Sequence, residues 1–153
     1  MEHLDKTDIL ILRILQENSR LTTREIANKV NLSTTPVFER IKRLEESGYI
    51  KRYVALLDAE KLNRGFLVYC CVKLRQLTRE TAMDFMNMVK NIPEVTECYN
   101  ISGEYDYLLK VYARDMKAYQ EFILNELGTI ESLGSLTSMF VMAEVKHENT
   151  LPF

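Results

Sequence analysis

Apolar residues first recur along this chain at helical spacing. Ile9, Leu10, Leu12, Ile14 and Leu15 give one wide apolar face, with Asp5 or Thr7 placed to cap it and an end near Asn18-Ser19-Arg20. Thr23 to Val30 reads as a shorter second helix, capped by Thr22 or Thr23, with small Ala27 where a neighbouring helix approaches closely. Asn31-Leu32-Ser33 is a tight polar turn. A third helix follows, with Ser33 as the N-cap whose hydroxyl can accept from a first-turn N–H, and with Pro36 where its missing N–H costs nothing. Val37, Phe38, Ile41 and Leu44 form its apolar stripe, and Gly48 stops it as a C′ residue. Two helices joined by a turn this short form a helix-turn-helix.

Beyond that block the pattern changes. Ile50 to Leu57 reads as extended and residues 58–65 as a polar connection. Phe66 to Leu74 is a near-continuous apolar, β-prone run and therefore a buried strand. Thr78 caps a helix with Ala82, Phe85, Met86 and Val89 on one stripe, broken at Asn91-Ile92-Pro93. Strands are expected over Val95–Ile101, Tyr105–Tyr112 and Leu136–Val145, with a turn at Ser102-Gly103-Glu104 and a helix capped by Asp115 that carries Met116, Tyr119, Phe122, Ile123 and Leu127. The order βαββαβ predicts a ferredoxin-like sandwich, so the chain is α+β. The domains are drawn as 1–52 (helix-turn-helix), 53–64 (extended linker) and 65–153 (ferredoxin-like). The sheet face away from the helices would be apolar, drawing on Tyr69, Cys71, Leu109, Val111, Met139 and Val141 according to register. Pairing two such faces predicts a homodimer.

Charge sharpens this division. The 153 residues are 46% hydrophobic and 27% charged, with a formal net charge of −2. Residues 1–52 carry ten Lys and Arg against eight Asp and Glu, whereas the remainder carry ten against fourteen. A mildly basic front on an acidic back suits a nucleic-acid reader joined to something else. The third helix has a packed back, a basic front and an uncrowded N-terminus, as a major-groove helix requires. Ser33, Thr34 and Thr35 at its start are candidates for base edges or phosphates. Arg40 is a candidate for either, and Lys42, Arg43 and Lys51-Arg52 are candidates for phosphate. Thr22 and Thr23 lie where a helix N-terminus can meet a phosphate. Glu39 can repel phosphate, orient Arg43 at i,i+4 or accept from a cytosine amine.

Other chemistry finds little support. The sequence places His3 near a terminus and His147 in a charged tail, neither beside a candidate nucleophile, and it holds no Cys/His metal set or phosphate-cradling glycine loop, so an enzyme is not expected. Cys70, Cys71 and Cys98 lack metal-ligand spacing, and the adjacent pair reads as small buried hydrophobes in a reducing compartment. No apolar run reaches membrane-spanning length and no signal-peptide pattern opens the chain, which predicts a cytoplasmic protein without membrane contact. Of Met83, Met86 and Met88, Met86 is read as core filling. Tyr105 and Tyr107 are open between ligand stacking and interface packing.

Taken together, the segment from Leu4 to Asp58 with its Leu-Ser-x-x-Pro-x-x-x-Arg-x-x-x-Leu core, the SGEYDYLLK hairpin and the FVMAEVK ending resemble the Lrp/AsnC (feast/famine) transcriptional regulators. Thr-Pro-Val-Phe-Glu-Arg and Val-Met-Ala-Glu-Val-Lys are similar to the leucine-responsive branch. The resemblance implies binding to double-stranded DNA, a homodimer often assembled into an octamer of four dimers, and no cofactor beyond a small amino-acid effector, leucine or another, bound where dimers meet. The matching effector positions are Ser102, Gly103, Glu104, Tyr105 and Asp106, with Thr137 and Ser138 opposite. Chemically, Gly103 allows positive φ and close approach of a carboxylate, and Asp106 can accept from an α-ammonium. A plain glycine hairpin with a solvated Asp is the structural alternative. An effector-independent, DNA-bridging nucleoid protein of the same fold is the functional one.

Overall fold

Asp5 sets the start of the first helix, α1 (Lys6–Glu17). Its carboxylate accepts from the Asp8 N–H at 2.8 Å, while the Asp8 carboxylate accepts from the Asp5 N–H at 3.1 Å. Thr22 and Glu25 form the same reciprocal box at the start of α2 (Thr23–Val30). Asn31 then takes a left-handed conformation (φ 55°), and the Leu32 N–H reaches back to the Ala27 carbonyl, which closes the turn into α3 (Thr34–Glu46). Ser33 stands at the N-cap of α3, but its hydroxyl makes no capping bond, contrary to the sequence expectation. Gly48 at φ 76° ends the helix as expected.

This computed structural model describes residues 4–153, which divide into two compact units. The first runs up to Leu56 and also takes in Lys146–Phe153, and the second is Leu57–Val145. The first unit therefore includes tail residues that the sequence reading assigned to the second domain. The tail is held on α1 by side chain to main chain bonds. The Leu151 N–H donates to Gln16 Oε1 at 2.7 Å, Gln16 Nε2 donates to the Leu151 carbonyl at 3.2 Å, and Arg13 Nε donates to the Phe153 carbonyl at 2.8 Å.

Ile11, Ile14, Ile26, Ala27, Val37 and Leu44 form the core of the helical unit. Leu12, Leu15 and Ile41 pack against it, but three residues expected on the apolar faces do not: Ile9, which is half-buried, Leu10 and Phe38. Leu10 lies on the outer side of α1 and is 41% exposed, because the inward face centres on Ile11. Phe38 is 57% exposed, because Val37 and Leu44 already fill the inward line of α3. Residues 51–57 form no regular element.

The second unit is a four-stranded antiparallel sheet in the order β2-β3-β1-β4, where β1 is Phe66–Leu74, β2 Val95–Asn100, β3 Tyr107–Ala113 and β4 Leu133–Phe140. Helices α4 (Arg79–Val89) and α5 (Met116–Asn125) give the expected βαββαβ order, and a single 3-10 turn spans Leu127–Thr129. Val68, Cys70 and Val72 of β1, with Leu109 and Val111 of β3, pack against Phe85 and Val89 of α4 and Tyr119 and Phe122 of α5. Register therefore moves Leu109 and Val111 to the helix side, away from the face they were expected to share. The opposite face carries Tyr69, Cys71, Leu108, Lys110 and Met139 by strand alternation. The last strand lies earlier than expected. It ends at Phe140, paired with Val68 near the start of β1, so Val141 and the rest of the FVMAEVK ending lie beyond it. Met86 packs on the core while Met83 and Met88 are exposed.

Candidate nucleic-acid interface and effector hairpin

In the helical unit, the side chains singled out as DNA contacts separate into two groups. Ser33, Thr34, Thr35 and Lys42 lie exposed along the outer side of α3 or at its start, and Lys42 makes only a loose i,i+4 pair with Glu46 at 3.7 Å. Thr22, also exposed, uses its hydroxyl in the α2 capping box, and Thr23 is half-buried beside it. Arg40 and Arg43 instead turn back towards α1. Arg40 Nη1 lies 2.6 Å from Asp5 Oδ2 and 2.7 Å from Asp8 Oδ1, and Arg43 Nη2 lies 2.6 Å from Asp8 Oδ2.

Asp8 is thus almost wholly buried, 1% exposed, with each carboxylate oxygen on a different guanidinium. The Asp5 carboxyl is held below its ordinary value by the Asp8 N–H and then by Arg40. The Arg40 guanidinium is held above its ordinary value by Asp8 and then Asp5. This clasp was missed in the sequence. The only available signal was an acid one turn into α1 together with two arginines three apart on α3.

Residues of the effector hairpin also sort themselves. Ser102, Gly103 and Glu104 are exposed, and Gly103 sits at φ 121° with no atom near where a Cβ would stand. Glycine meets that backbone without strain. Asp106 is half-buried, and its Oδ2 accepts from the Leu74 N–H at 2.8 Å, which fixes the carboxylate at the end of β1. Tyr105 Oη lies 3.1 Å from Thr137 Oγ1, so those two candidates meet. Ser138 alternates to the other face, where it is 2.5 Å from the Tyr119 hydroxyl, itself 3.1 Å from the Cys70 sulfur. Burial, and then Cys70, push the Tyr119 hydroxyl above its ordinary value. Tyr107 is core, 2% exposed, its ring tilted against that of Phe85 with centroids 4.7 Å apart, so of the two tyrosines only Tyr105 stands near the hairpin surface.

Among the described residues no cluster of three or more His, Cys, Asp or Glu could hold a metal ion. His3 lies outside the described residues. No described helix is long and apolar enough to cross a membrane.

Known proteins share this arrangement. Residues 4–51 match the family model for a winged helix-turn-helix DNA-binding domain, and residues 67–151 match that for the Lrp/AsnC ligand binding domain. The chain is 38% identical to the DNA-binding transcriptional activator DecR of Escherichia coli K12, over 97% of this chain and 98% of that one. It is 36% identical to the leucine-responsive regulatory protein of the same strain, over 97% and 90%. Among solved structures, a transcriptional regulator from Neisseria meningitidis in complex with L-methionine superposes with a TM-score of 0.94 at 40% identity, covering 98% of this chain and 97% of that one. Two domains in this order, matched along nearly their whole length by DNA-binding regulators, make the chain a member of the Lrp/AsnC family of transcriptional regulators.

Proposed function

We propose that this regulator reads DNA through the outer side of α3 and answers to a free amino acid bound at the Ser102–Asp106 hairpin. On the DNA side, Thr34, Thr35 and Lys42 make the groove contacts, joined by Ser33, whose hydroxyl is not used in capping, and by Thr22 and Thr23 at the α2 N-terminus. Arg40 acts chiefly inside the domain, and Arg43, 44% exposed at its side chain, keeps reach for a phosphate beside its Asp8 bond.

The observation that carries the effector reading is the hairpin itself. An exposed glycine at positive φ stands beside a carboxylate already oriented by a backbone N–H, with the Tyr105–Thr137 hydroxyl pair nearby. That is a zwitterion's complement: N–H groups for the carboxylate, Asp106 for the ammonium and hydroxyls between them. Ser102 and Glu104 sit at the rim, and Ser138 serves the Tyr119 network instead. Ser102, Gly103 and Glu104 are exposed, so a second dimer can close over the bound amino acid. The homodimer forms through the sheet face of Tyr69, Cys71, Leu108 and Met139, four dimers make the octamer, and the protein works in the cytoplasm.

Thermal unfolding in the presence of each of the twenty amino acids tests this, with L-methionine first because a similar structure holds it. A ligand confined to the folded state adds roughly 2.7 kcal/mol of apparent stability at a hundred times its dissociation constant. No shift from any of them at millimolar concentration would overturn the amino-acid reading and leave a DNA-bridging protein of the same fold.

A further inference from the structure

Phe38 is the one aromatic side chain of α3, and it is 57% exposed on the helix whose other large apolar groups point inward. An isolated exposed phenylalanine is unremarkable on most surfaces. Its neighbours set this one apart. Thr34 lies one turn before it, Lys42 one turn after it and Thr35 three residues before it, and all three are exposed, so Phe38 sits within a polar, basic strip at the open end of the helix. It is not a satellite of the core: Val37 and Leu44 occupy the inward line, with Ile41 packed at the edge. In a major groove the base-pair edge with an apolar group is that of thymine, through its 5-methyl, and an aromatic or methyl side chain is its natural contact.

We propose that Phe38 is a specificity-determining residue that reads a thymine by packing on its 5-methyl group. The flanking groups fit that role. Lys42 gives the strip its positive charge for the backbone, and the Thr34 and Thr35 hydroxyls reach polar edges or phosphates on the same side. Glu39, the next residue, accepts from a cytosine amine or is held off the phosphates. The inference rests on α3 being the helix that enters the groove, and the experiment separates the two claims.

The full-length protein is used to select duplexes from a random-sequence pool, and each thymine of the enriched site is then replaced by deoxyuridine, which removes only the methyl. Loss of one buried methyl weakens wild-type binding about fourfold at one thymine per half-site. Phe38→Ala binds the thymine and uracil forms equally, whereas Phe38→Leu keeps part of the preference. Because Phe38 is largely outside the core, thermal unfolding of Phe38→Ala stays near wild type, which excludes a folding defect as the cause. An enriched site without thymine, wild-type binding indifferent to every replacement, or undiminished discrimination by Phe38→Ala each overturns the proposal. If Thr35→Ala and Lys42→Ala shift the selected sequence or weaken binding while Phe38→Ala does neither, α3 still reads DNA and only the methyl contact falls. If none of the three has any effect, the placement of α3 in the groove falls with it.

Discussion

Asp8 and Arg43 meet at 2.6 Å although 35 positions separate them in sequence. With Arg40 on the second carboxylate oxygen, one buried acid on α1 fixes two successive turns of α3. A recognition helix must hold its angle against the charge of the duplex, and a bidentate acid at its back does so without using the outer face. If α3 enters the groove as proposed, the shape of that interface is set partly by a residue that does not belong to it.

Replacing that acid gives the first prediction. Asp8→Asn keeps the volume but removes the charge shared by two guanidiniums. The helical unit should lose about 2 kcal/mol, less than a fully enclosed pair because both arginines remain partly in water. Denaturant unfolding followed by helical circular dichroism measures it, and an unchanged midpoint would show the clasp to be energetically idle.

Salt titration separates the two kinds of basic residue. Lys42→Ala should lower the slope of log affinity against log salt by about one unit, as for one lost phosphate contact. Arg40→Ala should leave the slope alone and lower the melting temperature. Arg43→Ala should do some of each, since its guanidinium is shared between Asp8 and solvent. A full unit lost with Arg40→Ala would place that side chain on the DNA backbone.

Asp5 adds a pH dependence whose sign is fixed. Its folded carboxyl is depressed below 3.8 by the Asp8 N–H and by Arg40, so near and below 3.8 the unfolded chain binds more protons. The associated stability is fully present above 3.8 and is lost as pH falls through the folded value. Wild type and Asp5→Asn should therefore differ most above that pH and converge in stronger acid, as thermal melts from pH 2 upward would show. A gap that persists undiminished at low pH would assign the difference to capping geometry, not charge.

At the hairpin, Asp106→Asn is more informative than alanine, because its amide oxygen still accepts from the Leu74 N–H that the carboxylate now serves. Folding should survive and the amino-acid-induced thermal shift should vanish. On the open sheet face, Met139→Glu places a charge at a position 47% exposed in one chain, so the unit should fold and the dimer should dissociate in sedimentation. A dimer that survives this substitution would put the interface elsewhere.

The elements were legible because their signals are local. Thr22 with Glu25, Thr78 as a cap and the apolar run of β1 each declare themselves within a few residues. The end of β4 was not legible, because it depends on where its partner β1 begins, and a continuing apolar pattern past Phe140 says nothing of that. Phe38 was misassigned for a related reason: helical periodicity admits a wide stripe, and only the packed neighbours decide which edge of it turns outward. In the hairpin, Gly103 and Asp106 are singled out by the family resemblance, whereas their residue types alone leave a plain glycine turn open. Adjacent Thr137 and Ser138 must part on any strand, and register decides that Ser138 is the one on the Tyr119 side. The Asp8 clasp joins residues too far apart in sequence for any local pattern to connect.

The bonds that hold Leu151 and Phe153 on α1 also bear on the order of synthesis. The three helices leave the ribosome before the sheet and contain their own core, so they can close while the sheet is still being made. The strand of contacts from the tail reaches them only after all of residues 57–145 have been translated. A nascent chain arrested before residue 146 would carry a helical unit already folded but lacking its outer strap. Protease susceptibility of α1 should therefore fall in two steps, the second only once residues 146–153 have emerged from the ribosome.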